Sequence, residues 1–463
     1  MLANLSKNNK KEKIIGGNTM KKTIFLVAML LAATVFADEN QLASFWQAPA
    51  MDLEQAEKLA KFDLVVIDLE NWFNNSKLIN HIRQQNPDGI VLAYVNPMEF
   101  FDPPVPGRPF QQSLYQVVAN QYPDWWLDQP NGEPIYYWNS PRMRMLNLSS
   151  VCPKYRGQSW TDFLASELKT KLLSLPNKPD GIFVDNAWDD VSWVKDGNLD
   201  ADNNGLRDDF HALDMWWRQG TGSFLEKIKA TGTVVIGNEP NLCYQDILAG
   251  KMFENVPANL GSMETMILIY TQDLGQLPLN IIHTEPKGEQ WRMFLLATTL
   301  LGDGWFCHGI NQANWYPEYD LVRQLGKPIG SVQPPHQLLW QTDEMDFATA
   351  KEVKSALLET GEYLVSYNYQ MTPGSRLIVE AISEQYGGVF PYTQQIHDRW
   401  LTGNVYRTVT LTAPGRIVAH GASVGTAQDL RIWRKKSGPW VRQYENGKVL
   451  VWPDQARGEI LLH

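Results

Sequence analysis

The sequence predicts an α/β protein in which a (β/α)8 TIM barrel is followed by antiparallel β-sandwich material. Three observations lead to this prediction. Short apolar runs, typical of strands buried on both faces, alternate with segments of helical period over about residues 38–330. Several of these runs end in carboxylates or amides, as Ile182-Phe-Val-Asp185 does, which predicts one polar rim. From about residue 331, alternating runs such as Arg376-Leu-Ile-Val-Glu replace the helical period and predict antiparallel strands.

The individual barrel elements follow from local patterns. We expect the eight strands near residues 44–47, 63–68, 90–96, 181–185, 233–237, 250–254, 279–283 and 304–307. We expect the helices near residues 51–61, 74–85, 155–175, 209–230, 260–274 and 288–301. The third of these helices illustrates the reasoning, because Trp160, Leu164, Leu168 and Leu172 recur at helical spacing before Pro176. Such a helix would pack on the sheet outside the barrel.

Two regions interrupt this alternation. Residues 97–150 form an aromatic, proline-rich excursion where a barrel normally has a short loop, and loops of this length are usually functional. Residues 331–437 are predicted to be an inserted β-sandwich module, and residues 438–463 to be terminal strands that complete a β domain beside the barrel. The predicted catalytic domain is therefore the barrel of residues 38–330.

The first 37 residues are predicted to be an upstream extension followed by a signal peptide. Met20-Lys21-Lys22 supplies a basic start, Thr23 to Val35 an apolar middle, and Ala37 a small residue at the cleavage point. The apolar run is too short to anchor the chain in a membrane. We expect Met20 to be the true initiator, cleavage after Ala37, and a secreted or periplasmic bacterial protein without a membrane anchor.

Composition narrows the class of partner. The formal net charge is −10, and it becomes more negative once the lysine-rich leader is removed, which disfavours nucleic acids and anionic surfaces. The 3 cysteines have no metal-binding spacing. The 18 tryptophans are an unusually large number for a chain of this length. Sugar-binding clefts use such rings because their flat faces pack against the apolar face of a sugar. We expect a monomer that binds carbohydrate.

Asp185 is the strongest catalytic candidate. A carboxylate directly after Ile182-Phe-Val is costly to bury without a purpose, and glycosidases need such a group as nucleophile or base. Glu254 follows the sixth strand and is our candidate acid, since the neighbouring Met252 and Phe253 favour a raised pKa. Glu239, at the end of the fifth strand, is the rival. The sequence leaves this choice open.

Other polar and aromatic residues occupy similar positions at strand exits, and each is as easily explained by a role in fixing a loop. The predicted substrate-binding residues are Asp68, Glu70, Tyr94, Asn96, Asn186, Trp188, Asn238, Glu239, His283, Glu285, Asp303 and Trp305. A metal pair of His283 with Glu285 is the weaker interpretation, because no His-x-x-x-His spacing supports zinc.

A possible calcium loop follows the fourth strand. Its oxygen-bearing residues alternate and a glycine lies where the chain must turn, as in the first half of an EF-hand loop. The predicted ligands are Asp200, Asp202, Asn204, Leu206 through its backbone oxygen, and Asp208 or Asp209. His211 replaces the usual glutamate at the twelfth position. A structural calcium ion and a solvated acidic loop are both compatible with this pattern, and catalysis requires no cofactor in either case.

Five motifs, taken in order, resemble a family of secreted bacterial glycoside-hydrolase-like barrels related to the endo-α-1,4-polygalactosaminidases. They are Gly181-Ile-Phe-Val-Asp185-Asn186, Ile236-Gly-Asn238, Met252-Phe-Glu254-Asn255, Leu301-Gly-Asp303-Gly-Trp305-Phe306 and Gln443-Tyr-Glu-Asn-Gly-Lys-Val-Leu-Val. Asp185 is also similar to the nucleophile position of α-galactosidase-type barrels. The resemblance covers about residues 41–330 and 438–462, and it implies the fold more specifically than the substrate.

These observations together predict a secreted glycoside hydrolase that cleaves O-glycosidic bonds of a poly- or oligosaccharide with Asp185 and Glu254. The alternative is a non-catalytic carbohydrate-binding protein on the same fold. An esterase or lyase is further removed, because the sequence has no recognisable Ser–His or metal site for that chemistry. The separation of the two carboxylates distinguishes hydrolase from binder.

Overall fold

A computed structural model of the chain describes residues 41–241, 243–257, 262–346, 352–371, 376–383, 389–396, 402–422 and 425–463. The predicted signal peptide and extension, residues 1–37, lie outside these ranges. Among the helices in the described part of the chain, none is long and apolar enough to cross a membrane.

Eleven strands precede the C-terminal region. They are β1 (Leu42–Trp46), β2 (Leu64–Asp68), β3 (Ile90–Val95), β4 (Glu99–Phe101), β5 (Tyr136–Asn139), β6 (Arg142–Met145), β7 (Gly181–Val184), β8 (Val234–Asn238), β9 (Gly250–Phe253), β10 (Ile281–Thr284) and β11 (Trp305–Ile310). Eight of them close a parallel barrel in the order β1-β11-β10-β9-β8-β7-β3-β2. The predicted fold class is confirmed.

Nine α-helices accompany these strands in the described part of the chain. They are α1 (Leu53–Leu59), α2 (Glu70–Asn74), α3 (Ser76–Gln85), α4 (Pro109–Gln121), α5 (Trp160–Glu167), α6 (Phe210–Lys229), α7 (Met263–Leu268), α8 (Glu289–Thr299) and α9 (Pro317–Leu325). The caps agree with the sequence: α1 begins with a capping box between Asp52 and Gln55, and α5 with one between Ser159 and Asp162. Short π-helical turns continue α5 to Leu172 and α7 to Asp273.

The excursion at 97–150 folds onto the barrel mouth. It contains α4 and a small sheet of order β4-β6-β5. Glu70 accepts hydrogen bonds from the backbone N–H groups of Phe110, at 2.9 Å, and Gln111, at 2.8 Å, in the first turn of α4. Asp68 forms a buried ion pair with Arg108 at 2.5 Å. Two carboxylates at the end of β2 therefore tie the excursion to the rim.

The C-terminal region contains twelve further described strands. They are β12 (Pro328–Gln333), β13 (Gln337–Asp346), β14 (Glu352–Lys354), β15 (Gly361–Met371), β16 (Arg376–Ser383), β17 (Val389–Ile396), β18 (Thr402–Leu411), β19 (Gly415–Ala422), β20 (Gly425–Arg434), β21 (Trp440–Tyr444), β22 (Gly447–Trp452) and β23 (Arg457–Leu462).

These strands form three antiparallel sheets. Two of them, β13-β20-β15-β18 and β14-β19-β16-β17, enclose an apolar cluster of their own that includes Val365, Val379 and Ile432. The third sheet, β12-β21-β22-β23, packs on the barrel, where Trp440 and Val449 belong to the main core. Strand β12 pairs directly with β21, although β13–β20 lie between them in the sequence. The chain therefore returns to the sheet on the barrel after residue 437. The assignment of residues 331–437 to a separate inserted domain stays a prediction.

Candidate active site

Asp185 lies immediately after β7, at the carboxyl end of the barrel, and accepts three hydrogen bonds. The Tyr94 hydroxyl donates to Oδ2. The Asn238 amide donates to Oδ1 at 2.8 Å, and the backbone N–H of Asn186 donates to Oδ1 at 2.9 Å. Tyr94 comes from β3 and Asn238 from β8, the strands on either side of β7. The parallel register therefore brings three strand exits to one carboxylate.

Asn238 also holds the second carboxylate. Its Nδ2 donates to Glu254 Oε2 at 2.9 Å, and the same nitrogen donates to Asp185 Oδ1. An amide nitrogen carries two hydrogens, so it can serve both acceptors at once. The two bond lengths require that Asp185 Oδ1 and Glu254 Oε2 lie no more than about 6 Å apart. The two carboxylates follow β7 and β9, the strands on either side of β8.

The surroundings of the two groups differ. Burial raises the pKa of Asp185, and the three hydrogen bonds oppose that rise because they stabilise the charged form. Burial also raises the pKa of Glu254, where the single hydrogen bond from Asn238 opposes it and the charges of Asp185 and Glu285 add to it. Asp185 thus accepts three hydrogen bonds that favour its charged form, whereas Glu254 accepts one.

Glu239, the rival acid, lies beside a buried lysine. Burial raises the pKa of Glu239 to about 7, with the charge of Asp189 adding to the rise and that of Lys251 opposing it. Lys251 is only 1% exposed, and its Nζ donates to the backbone and side-chain oxygens of Asn241. Burial lowers the pKa of Lys251 to about 8. Our sequence reasoning missed Lys251, although a lysine within an otherwise apolar strand was the available signal.

Glu99 is a third buried carboxyl group close to Asp185, and it was also missed. Its side chain is 0% exposed, and the amide of Asn96 donates to Oε2 at 3.3 Å. Oε1 is buried without a hydrogen-bond partner among the described residues. Burial raises the pKa of Glu99 to about 8, and the charge of Asp185 adds to the rise. Glu99 lies near the start of the excursion and not directly after a barrel strand, so the strand-exit pattern did not identify it.

A cavity of about 480 Å³ opens over Glu254. Its described lining consists of Tyr137, Trp138, Asn186, Trp188, Asp189, Asp190, Trp193, Asn238, Glu239, Pro240, Asn241, Glu254, Asn255, Val256 and Pro257. Asn186 and Asn255 directly follow the two carboxylates, and both have a left-handed backbone with φ of 51°. Left-handed non-glycine residues cluster at functional sites, and asparagine tolerates the conformation best.

The structure brings part of the predicted binding set to this cavity and places the rest elsewhere. Asn186, Trp188, Asn238 and Glu239 line it, and Tyr94 reaches Asp185. Both oxygens of Glu70 and Oδ2 of Asp68 are engaged by the excursion, and Asp68 Oδ1 accepts from the backbone N–H of Glu70 at 2.9 Å. The side-chain oxygen of Asn96 accepts a hydrogen bond from the backbone N–H of Met98 at 3.0 Å. Ligand roles for these last three residues stay predictions.

The two substrate-binding residues predicted at the end of strand β10, His283 and Glu285, do not line the cavity. Glu285 is exposed and lies near enough to Glu254 to influence its pKa. His283 is 0% exposed inside the barrel, with its ring 6.2 Å from that of Phe45. Burial lowers the pKa of His283 to about 4, so its ring is neutral at physiological pH. A fully buried His283 does not present a ring to a sugar at the mouth.

Asp303 and Trp305 require a correction. We expected both at the polar rim, but β11 begins at Trp305, so both residues lie at the amino end of the strand and therefore at the opposite end of the barrel. Asp303 forms an ion pair with Arg442 of β21 at 2.5 Å, and the Trp305 indole donates to the Pro278 carbonyl at 3.2 Å. Both residues attach the terminal sheet and the loop before β10 to the base of the barrel.

The acidic loop after β7 gathers three carboxylates. One oxygen each from Asp200, Asp202 and Asp208 lie within 4.8 Å of one another. Burial raises the pKa of Asp208, and the charges of Asp202 and Asp200 add to the rise. Asp209 does not join them, because its carboxylate caps α6 by accepting from the backbone N–H groups of His211 and Ala212. Three convergent oxygens fit a hard cation such as calcium.

Oxygens of this loop, including both carboxylate oxygens of Asp200, already accept hydrogen bonds. Asp200 accepts from the backbone N–H groups of Asn204, at 3.0 Å, and Gly205, at 2.8 Å. The side-chain oxygen of Asn204 accepts from the backbone N–H of Leu206 at 2.8 Å. These bonds close the loop locally, which is also what a solvated acidic turn requires. The calcium assignment therefore stays a prediction.

The structure is an eight-stranded parallel barrel with two neighbouring carboxylates at the carboxyl end of its strands. Residues 83–343, more than half of the chain, match the family described as Hypothetical glycosyl hydrolase family 15. The chain belongs to this family. No curated protein is significantly similar to it in sequence.

Three solved structures illustrate the similarity, and each has low sequence identity to this chain. An isomalto-dextranase from Arthrobacter globiformis T6, complexed with panose, has 10% identity and a TM-score of 0.37, with 86% of this chain and 97% of that one covered. A Paenibacillus cycloisomaltooligosaccharide glucanotransferase has 12% identity and a TM-score of 0.31, with 86% and 57% covered. The cycloalternan-forming enzyme of Listeria monocytogenes has 8% identity and a TM-score of 0.38, with 87% and 66% covered. The chain thus spans less than two thirds of the length of the last two.

Proposed function

We propose that the protein is a glycoside hydrolase that cleaves O-glycosidic bonds of a poly- or oligosaccharide, with Asp185 as nucleophile and Glu254 as acid and base. One observation carries this proposal: the Asn238 amide bonds both carboxylates and so holds their oxygens within about 6 Å. Retaining glycosidases keep their carboxyl groups about 5–5.5 Å apart, whereas inverting enzymes need about 6.5–9.5 Å for a water molecule. The geometry supports retention.

In the first step, an Asp185 oxygen attacks the anomeric carbon while the bond to the leaving oxygen breaks and Glu254 transfers its proton to that oxygen. The three hydrogen bonds to Asp185 favour its charged form, which is the form that attacks. In the second step, Glu254 accepts a proton from water, which displaces Asp185 from the anomeric carbon. The raised pKa of Glu254 suits a group that begins the cycle protonated.

The test combines kinetics with stereochemistry. Proton NMR of the first product formed by the wild-type protein should show the substrate's own anomeric configuration. Replacing Asp185 by Asn should abolish hydrolysis while sugar binding persists, because the variant keeps shape but loses the nucleophile. Inversion of configuration would rule out the covalent route. Glycan binding without any hydrolysis by the wild-type protein would favour the non-catalytic alternative.

A second candidate concerns the sugar. The resemblance to endo-α-1,4-polygalactosaminidases suggests a polymer that bears amino groups. The cavity favours it in one respect: its described lining contains the carboxylates Asp189, Asp190, Glu239 and Glu254 and no lysine or arginine. A cationic sugar would be attracted to this lining. Comparison of polygalactosamine with its fully N-acetylated form in a reducing-sugar assay tests the idea, since only the free amine carries charge.

We further propose that the protein is secreted and that calcium orders the acidic loop. The signal-like segment at residues 20–37 supports secretion, and the three convergent carboxylates support the metal. N-terminal sequencing of material from the culture supernatant should begin at Asp38. A supernatant protein that still carries residues 1–37 would overturn the cleavage prediction.

A further inference from the structure

Two tryptophans are exposed, and both lie on the same cavity. Among the tryptophans whose side chains the structure describes, Trp138 is 53% exposed and Trp193 is 42% exposed, whereas the others are buried or half-buried. Trp138 comes from β5 of the excursion, and Trp193 from the loop after β7. Two segments more than fifty residues apart in sequence therefore each place an exposed indole at the same cavity. This arrangement indicates a role other than core packing.

Tyr137 fixes the positions of these rings. Its ring lies 5.1 Å from that of Trp138, 5.1 Å from that of Trp188 and 5.6 Å from that of Trp193, and each pair is nearly perpendicular. Trp188 and Trp193 also contact each other, with centroids 4.8 Å apart. Edge-to-face contacts of this kind are favourable and directional. The exposed indoles are therefore held in place by a packed neighbour, as a preorganised binding surface requires.

Tyr137 also links the aromatic group to the carboxylates. Tyr137 lines the same cavity as Glu239 and Glu254, and so do Trp138 and Trp193. Burial raises the pKa of Tyr137, and the charges of Glu99, Glu254, Asp185 and Glu239 add to the rise. A molecule on these indoles would therefore lie in the cavity that Glu254 lines, and Glu254 shares the Asn238 amide with Asp185.

The size and charge of the cavity limit the occupant. Its volume of about 480 Å³ falls within the range of small-ligand sites, about 300–1,000 Å³, and two indoles cannot make the roughly 800 Å² per partner of a stable protein interface. The described lining has four carboxyl groups and no lysine or arginine, so it offers no cationic partner to a carboxylated or sulfated ligand. Flat amphipathic rings above hydrogen-bonding side chains suit a pyranose, whose C–H face is apolar and whose edge carries hydroxyl groups.

We propose that Trp138 and Trp193 form a binding subsite for one ring of a pyranose chain without anionic groups, next to the ring cleaved between Asp185 and Glu254. The position of this subsite relative to the cleaved sugar ring rests on the proposed function. Binding of a sugar at the two tryptophans does not itself require catalysis. It predicts that the substrate is at least a disaccharide, because two adjacent positions are occupied. The excursion that carries Trp138 is then part of the substrate cleft.

The experiment measures binding separately from turnover. An array of neutral, amino-bearing and uronic-acid oligosaccharides of four or more sugars is probed with the full-length Asp185→Asn variant, and the strongest array member is titrated calorimetrically. Trp138→Ala and Trp193→Ala, each made in the Asp185→Asn protein, should weaken binding about fivefold to tenfold. Trp→Tyr at each position should restore most of the affinity, because a flat ring returns. Phe73→Ala is the matched control, since Phe73 is 38% exposed but does not line the cavity.

The outcomes distinguish the tryptophan subsite from the hydrolase proposal. Alanine variants that fold like the parent by circular dichroism and bind with its affinity would overturn the subsite, as would a preference for uronic acids or no binding to any array member. If binding falls as expected but the wild-type protein hydrolyses none of the bound glycans, the subsite stands and the hydrolase proposal fails. If hydrolysis depends on Asp185 but not on either tryptophan, the hydrolase stands and the subsite fails.

Discussion

Asp185 and Glu254 accept hydrogen bonds from one nitrogen, the Nδ2 of Asn238, at 2.8 and 2.9 Å. This shared donor couples two carboxyl groups that arise from different strands, since β8, which carries Asn238, lies between β7 and β9 in the barrel. The amide holds the two carboxyl groups close together, but their hydrogen bonding differs. Asp185 accepts from two further donors, whereas Glu254 accepts from no other donor among the described residues. Four predictions concern this site and the loops around it, and a fifth concerns the β module.

Replacing Asn238 by Ala should reduce kcat about 10²-fold, because removing one preorganised donor to a charged group in an active site costs about 10²–10³. Binding of the substrate should change less, since the amide serves the carboxylates. Steady-state kinetics on an aryl glycoside measures both. Asn139→Ala, at the exposed end of β5, is the control. Unchanged kcat in Asn238→Ala would show that the shared donor has no catalytic role.

Replacing Glu254 by Gln should lower kcat about 10²–10⁴-fold on substrates with poor leaving groups and much less on nitrophenyl glycosides, which leave without protonation. The rate as a function of leaving-group pKa is the measurement. Glu239→Gln is the matched comparison, because Glu239 lines the same cavity and its pKa is raised to about 7. Leaving-group dependence in Glu239→Gln, and none in Glu254→Gln, would reassign the acid.

The contribution of Glu99 to the stability of the folded protein should fall as the pH rises from 5 to 8. Burial raises the pKa of Glu99 from 4.5 to about 8, so across this range the folded state retains a proton that the unfolded state has released. A proton held more tightly by the folded state stabilises it at low pH, and this contribution disappears as the pH rises through 8. Glu70 and Glu239, whose pKa values burial raises to about 7, act with the same sign.

Glu99→Gln should therefore be more stable than the wild type at pH 8 and show a smaller loss of Tm between pH 5 and pH 8. Thermal denaturation followed by circular dichroism at several pH values measures the slope. Glu133→Gln, at an exposed position of the excursion, should leave the slope unchanged. A Glu99→Gln slope equal to that of the wild type would mean that Glu99 ionises normally.

Chelation should lower the Tm of the wild-type protein if calcium binds the loop at 200–209. An ion at 100 times its Kd stabilises the folded state by about 2.7 kcal/mol. Asp202→Asn should remove the response to chelator because it removes one of the three convergent carboxylates. Asp196→Asn, exposed and outside the cluster, should keep the response. Melting curves that ignore both chelator and added calcium would identify a plain acidic loop.

Removing residues 337–434 and joining the ends by a short flexible linker should leave the barrel folded. Strands β12 and β21, which flank this segment, pair with each other, and Pro335 lies close to Gly438. The segment also has an apolar cluster of its own. A modest loss of Tm is expected, because Leu364, Tyr406 and Trp433 pack on the main core. Failure of the purified variant to give a cooperative melting transition would show that the barrel depends on these strands.

The sequence alone determined the barrel and the strand exits that carry Asp185, Asn238 and Glu254. These features are local: a short apolar run is recognisable from its own residues, and the residue after it lies at the exit end. The same reasoning misplaced Asp303 and Trp305, because both lie at the start of the eighth strand and not at its exit, where the polar rim lies. Boundaries are where local patterns carry least information.

Only the tertiary structure decided which polar groups meet. The approach of Glu254 to Asp185 through Asn238 depends on the stagger of three strands in the closed barrel, and no single segment encodes that stagger. Glu99 and Trp138 reach the mouth because Glu70 and Asp68 tie a long excursion back to the rim. Chain segments far apart in sequence come together only once the barrel is closed, so the strand exits could be read along the chain but the cleft between them could not.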